Sequence, residues 1–113
     1  MNDVMKKPTK RELEQAAEQL GVAIRSCGDA YLNVGVQVHR GCLQICADGE
    51  YPVARLSPLG AEQFGLSYCT RQGQWEKMPF AGPLDQMAST IIESLGPYLQ
   101  AYHFLPPMRE SRH

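Results

Sequence analysis

The feature that most limits the folds open to this chain is a two-residue alternation of apolar and polar side chains through its middle. In the clearest run, single polar or small residues separate four apolar ones: Leu32, Val34, Val36 and Val38. Successive side chains of a β-strand point to opposite faces of a sheet, so this run predicts a strand with one buried face. Five shorter runs bounded by turn signals predict further strands joined as hairpins: 22–27, 42–47, 51–56, 66–71 and 74–78.

Near the start of the chain, the spacing of apolar residues changes to that of an amphipathic helix. Thr9 and Glu12 have the spacing of a capping box, in which each side chain accepts a hydrogen bond from the other residue's backbone N–H. An apolar stripe follows at helical spacing: Leu13, Ala16, Ala17 and Leu20. Gly21 is expected to end this helix, because glycine readily adopts the left-handed conformation of a helix end.

A second helix is predicted from Pro83 onwards, since proline fits the first turn of a helix. Its apolar residues form a wide face over five turns: Leu84, Met87, Ala88, Ile91, Ile92, Leu95, Tyr98, Leu99 and Tyr102. Pro97 has no backbone N–H and clashes with the preceding turn, so a kink or a break is expected near Leu95.

These elements together predict the α+β fold class. We expect an antiparallel meander sheet of five to six strands, with an N-terminal and a C-terminal helix packed on one of its faces. Residues 57–65 are assigned to a connecting loop, and 79–82 to the chain's exit from the sheet. Flexible tails are expected at 1–8 and 104–113, around a single α+β domain at 9–103.

Charge and composition narrow the classes of function. The net charge of −1 argues against a nucleic-acid binder, which usually carries a basic excess. Basic residues are concentrated near both ends, and the stretch 12–108 holds ten acidic residues against five basic ones. No run approaches the roughly 20 apolar residues of a membrane helix, and no secretory signal begins the chain. We therefore expect a cytoplasmic protein without membrane association, whose four cysteines are free thiols.

Three cysteines and a histidine resemble a zinc-ligand set in residue type: His39, Cys42, Cys46 and Cys69. Zinc requires its sulfur ligands within about 4 Å of one another. Cys42 and Cys46 lie on one predicted strand, which would separate their α-carbons by about 13 Å. We therefore predict no metal site and no cofactor, with His39, Cys42 and Cys69 as the weaker alternative set.

An enzymatic function has no motif to support it, so no catalytic residue is assigned. The sequence contains no nucleophile elbow, phosphate-binding loop, dinucleotide fingerprint or metalloprotease motif. The alternative that stays open is a small-molecule-binding or thiol-dependent enzyme domain, with a pocket between helix and sheet. That alternative predicts a cleft containing at least one of Cys42, Cys69 and His39, because a reactive thiol needs a neighbouring base and a lowered pKa.

An aromatic cluster supplies the first candidate binding residues. Trp75, the only tryptophan, lies close in sequence to Tyr68 and Phe80, a composition typical of interface anchors. The competing interpretation is that these side chains cover the core where the sheet meets the second helix.

Three arginines supply the second candidate set: Arg25, Arg55 and Arg71. Each falls on a predicted strand, and on an uncovered sheet face they would form a surface for anions or acidic peptides. The competing interpretation is a solvated face whose apolar surface is covered by the arginine stems.

The function expected from these residues is that of a small cytosolic protein-interaction or adaptor module acting through surface contacts. Its partner would be another protein or a second copy of the chain. Between 83 and 102 the second helix has only Asp85 and Glu93 as charged residues, which is compatible with partial cover by a second subunit.

Overall fold

The computed structural model describes residues 7–104 and has the predicted α+β architecture. Its elements follow one another in this order: helix α1 (Lys10–Arg25), a short 3-10 helix (Asp29–Tyr31), strands β1 (Gly35–His39), β2 (Cys42–Ala47), β3 (Tyr51–Gly60), β4 (Gln63–Cys69) and β5 (Trp75–Gly82), and helix α2 (Leu84–Phe104). Tails were predicted at 1–8 and 104–113; residues 1–6 and 105–113 of these lie outside the described residues, whereas Phe104 belongs to α2. Neither described helix combines the length and apolar character that crossing a membrane requires.

Helix α1 begins with the predicted capping box. The Thr9 hydroxyl accepts a hydrogen bond from the Glu12 backbone N–H at 3.1 Å, and the Glu12 carboxylate accepts one from the Thr9 N–H at 2.9 Å. Two of the backbone donors that a helix leaves unpaired at its start are therefore satisfied.

Helix α1 continues past Gly21 to Arg25, so the predicted strand at 22–27 is wrong. Ile24 is completely buried four residues after Leu20, and it extends the helical stripe by another turn. Val22 and Ile24 also fit a two-residue alternation, and in so short a segment packing against the core decides between the two periods. The end of the helix is held in place by Arg25, which donates a hydrogen bond to the Val34 carbonyl at 2.9 Å.

The five strands form one sheet in the order β1-β2-β3-β4-β5, and each strand pairs antiparallel with its neighbour in sequence. One face of this sheet forms one side of the hydrophobic core. Its buried residues come from the three central strands: Leu43, Ile45, Ala54, Leu56, Phe64 and Leu66. Both helices pack on that face through buried side chains: Leu13, Leu20, Ile24, Met87, Ile91 and Leu99. The predicted placement of the two helices on one face is confirmed.

Strands β3 to β5 are longer than the sequence indicated. The assigned loop at 57–65 belongs to a β3–β4 hairpin, whose turn at Ala61 and Glu62 has φ values of 54° and 62°. Positive φ at both central residues is the conformation that tight hairpin turns require, and neither residue type signals it. Residues 79–82 belong to β5, where Pro79 is tolerated because this strand is at the edge of the sheet.

Helix α2 runs through Pro97 to Phe104, so the break predicted near Leu95 does not occur. The 3-10 helix packs against this part of α2, where Gln100 donates a hydrogen bond to the Tyr31 hydroxyl at 2.8 Å. Gly96 allows this approach, because a β-carbon there would lie 2.8 Å from the same hydroxyl oxygen.

Candidate functional site

The face of the sheet opposite the helices carries the candidate site, and we call it the outer face. Strand registers and the burial of the alternate residues assign these side chains to it: Gln37, His39, Cys42, Gln44, Cys46, Arg55, Ser57, Ser67, Cys69, Trp75 and Lys77. Arg55 and Lys77 give this set two cationic side chains, and it contains no carboxylate. The outer face therefore has a charge opposite to that of the acidic middle of the chain.

The centre of the outer face is a cation–π pair between Arg55 and Trp75. Arg55 on β3 pairs with Ser67 on β4, while Trp75 on β5 pairs with Cys69. The two side chains meet diagonally across β4, with the guanidinium carbon 4.5 Å from the centroid of the indole ring. This stacking holds the guanidinium over a rigid aromatic surface.

The hydrogen-bonding capacity of Arg55 is unused among the described residues. Its Nε atom is buried and has no hydrogen-bond partner there. No carboxylate of residues 7–100 forms an ion pair with the Arg55 guanidinium. Its two Nη atoms also have no described hydrogen-bond partner, and they reach solvent. The donors of Arg55 that can reach an acceptor outside the described residues are therefore its two Nη atoms.

Glutamine side chains cover the part of the outer face beside Arg55. The amide nitrogens of Gln37 and Gln44 lie 3.7 and 3.8 Å from the Cys46 sulfur. Cys46 itself is only 1% exposed. The thiol of Cys46 therefore contributes to packing and is not accessible for chemistry.

The remaining thiols of the outer face lack the features of a nucleophile. Burial raises the pKa of the Cys69 thiol, and the neighbouring Arg55 guanidinium only partly offsets that rise. Cys69 is therefore a protonated thiol near neutral pH, and it donates a weak hydrogen bond to the Thr70 carbonyl at 3.6 Å. Cys42 lies 3.5 Å from the Ser57 hydroxyl, and its cross-strand neighbour His39 forms no hydrogen bond with it in the described structure.

The histidine and cysteines of the weaker metal set do not form a cluster. Among the side chains of residues 7–100, no three His, Cys, Asp or Glu are close enough together to hold a metal ion. The predicted strand from Cys42 to Ala47 is confirmed, and its extended backbone separates Cys42 from Cys46.

The structure separates the six predicted binding residues. Arg55 and Trp75 meet on the outer face, whereas Tyr68 packs against the core on the helix side of β4. Phe80 is 39% exposed in the irregular part of β5.

The predicted strand positions of two arginines are wrong. Arg25 lies at the end of helix α1 and Arg71 lies in the turn between β4 and β5, so neither occupies a strand position beside Arg55. Sequence reasoning placed Gln37 on the polar face of its strand but missed Lys77 and Gln44 as members of this face. Their membership depends on strand register, which only the paired neighbours define.

A surface groove of about 700 Å³ lies between α1, the β3–β4 hairpin and the start of α2. Apolar residues form much of its wall: Leu13, Ala16, Leu20, Pro58, Phe64 and Leu84. Its lining includes none of Cys42, Cys69 and His39, which lie on the opposite side of the sheet. The thiol-dependent pocket that the alternative function requires is therefore not this groove.

The thiols are expected to react with iodoacetamide in an order set by exposure and pKa. At pH 7.5 the exposed Cys27 should react first, Cys69 at least about tenfold more slowly, and Cys46 last. Replacing Arg55 by glutamine should slow Cys69 further, because the cation that favours its thiolate is removed. Mass spectrometry of timed digests gives the four rates, and a Cys69 rate above that of Cys27 would show an activated thiolate instead.

No protein-family model, no curated protein and no solved structure matches this chain.

Proposed function

We propose that this chain is a cytosolic protein-interaction module that binds an acidic region of a partner protein through the outer face of its sheet. The observation that carries this proposal is the Arg55 guanidinium, stacked on Trp75 with no acceptor among the described residues. Four free cysteines are compatible with a reducing cytosol.

The chemistry of the Arg55–Trp75 pair suits a binding anchor. Arginine and tryptophan are the residue types that most often dominate the energy of protein interfaces. Stacking restricts the arginine side chain before a partner arrives, so less side-chain entropy is lost when its donors pair with a carboxylate. Because the outer-face set contains no acidic side chain, the carboxylate that accepts hydrogen bonds from Arg55 comes from the partner.

A second copy of the chain is a special case of this partner. The excess of acidic residues at 12–108 means that a second copy can offer carboxylates to the outer face. A homodimer formed in this way would weaken at high salt, because the contact is between opposite charges.

The proposal is tested by photo-crosslinking followed by affinity measurement. A photoreactive residue at the exposed outer-face position Gln37 is expected to capture partners in native extract that the same residue at the exposed α1 position Val22 does not capture. For each purified partner, Trp75→Ala and Arg55→Gln should each weaken binding by at least about tenfold.

The control is Tyr98→Ala, since Tyr98 is 61% exposed on helix α2, on the other side of the molecule. This variant should bind like the wild type. If both outer-face variants retain wild-type affinity for every partner captured from Gln37, the proposed function is wrong.

A further inference from the structure

The outer face also has an apolar shelf, formed by Leu59 lying over Gly65. Leu59 is 54% exposed, and a β-carbon added to Gly65 would lie 3.4 Å from its Cδ1 atom. Gly65 is between the core residues Phe64 and Leu66 on β4, so a substituent on it would point to the outer face. The Leu59 side chain therefore lies on that face, where the missing side chain of Gly65 leaves room for it.

The shelf and the cation–π pair lie at two separate positions along β4. Leu59 lies over Gly65, and the Arg55 guanidinium stacks on Trp75, whose cross-strand partner on β4 is Cys69. Gly65 and Cys69 are four residues apart, so their α-carbons are about 13 Å apart in an extended strand. The outer-face residue between them on β4 is Ser67, so the face presents a cationic position and an apolar position with a neutral one between them.

We propose, on the basis of the proposed function, that the outer face binds an extended peptide segment with a carboxylate side chain at Arg55 and an apolar side chain on Leu59, four residues apart. An extended segment rises about 3.3 Å per residue, so a separation of four residues matches the distance between the two positions. Side chains four residues apart also point to the same side of an extended segment, so both reach the sheet.

Each half of this recognition has its own physical basis. The carboxylate accepts hydrogen bonds from the solvent-facing Nη atoms of Arg55, in a charge-assisted contact. The apolar side chain covers the exposed part of Leu59 and so removes apolar surface from water.

Trp75 gives a direct optical readout, because it is the only tryptophan in the chain and is stacked on Arg55. The probes are capped, non-aromatic Gly/Ser peptides that carry one Glu and one Leu separated by two, four or six positions, in both orders. Titration at low salt is expected to change the Trp75 emission. One order of the four-position peptide should bind at least about fivefold more tightly than the two- and six-position peptides. Replacing its Glu by Gln should abolish the response.

Matched variants separate the two contacts. Leu59→Ala is expected to reduce the affinity of the four-position peptide to that of its Leu→Ala analogue, whereas Leu32→Ala should have no effect. Leu32 is 58% exposed next to the 3-10 helix and serves as a control of the same residue type. Arg55→Gln should abolish binding, and Arg11→Gln on helix α1 should not change it.

Two results would overturn this inference: no peptide binds, or the affinity is independent of spacing and of Leu59. The proposed function survives either result if captured partners still lose affinity when Trp75 or Arg55 is replaced. The proposed function fails separately, when those two substitutions leave partner binding unchanged.

Discussion

An Ile24→Ala variant is expected to lose about 2–5 kcal/mol of the free energy of unfolding, the usual cost of truncating a fully buried isoleucine. Ile24 is completely buried in the last turn of α1, in the core shared by both helices and the sheet. The truncation leaves a cavity that a helix fixed at its end by the Arg25–Val34 hydrogen bond cannot readily close.

The matched control for this variant is Val22→Ala, which tests the helical assignment itself. Val22 is 54% exposed, so we expect a change of at most about 0.5 kcal/mol. Residues 22 and 24 would share one face of a strand, whereas in a helix they are roughly 200° apart around the axis. Urea denaturation of both variants gives the two values, and similar large losses at both positions would contradict the helix at 22–25.

Replacing Gly96 by alanine should have effects of opposite sign in two backgrounds. In the wild type, the new β-carbon would lie 2.8 Å from the Tyr31 hydroxyl oxygen, which also accepts the hydrogen bond from Gln100. Tyr31 is only 9% exposed and its side chain has little room to move, so we expect a loss of about 1–3 kcal/mol in stability.

In the Tyr31→Phe background the clash is absent, since the next ring atom, Cζ, lies 3.8 Å from the same position. Alanine loses less backbone entropy than glycine when α2 folds. Gly96→Ala should therefore stabilise this background by about 0.5–1 kcal/mol. A double-mutant cycle of urea denaturation measures the coupling. If Gly96→Ala had the same sign and size in both backgrounds, the close contact between Tyr31 and Gly96 would be contradicted.

The predicted parts of the fold are those in which local pattern and tertiary packing agree. The capping box at Thr9 and Glu12 and the strand from Cys42 to Ala47 are both confirmed. At Val22 and Ile24 the local pattern fits two periods, and the choice between them depends on the sheet beneath the helix. Pro79 indicated the end of a strand, yet an edge strand tolerates it. Pro97 indicated a kink or break in the second helix, yet the well-packed helix α2 continues through it.

The candidate site was only partly predictable, because it joins residues from separate strands. Arg55 and Trp75 could be named individually, but their contact across β4 depends on the registers of two strand pairs. Tyr68 is adjacent to Cys69 in sequence, yet the alternation of side chains places it on the face opposite Trp75. Register follows from turn conformations such as that at Ala61 and Glu62, where the residue types give no signal.

The meander order of the strands has a consequence for how the chain reaches its native state. Every strand pairs with its immediate neighbour in sequence, so each pairing closes a short loop and loses little chain entropy. The contact of α1 with α2 is different, because it joins the two ends of the described chain. Folding time is therefore expected to be spent mainly in bringing α2 back onto α1 and the sheet, while each hairpin forms from its own turn.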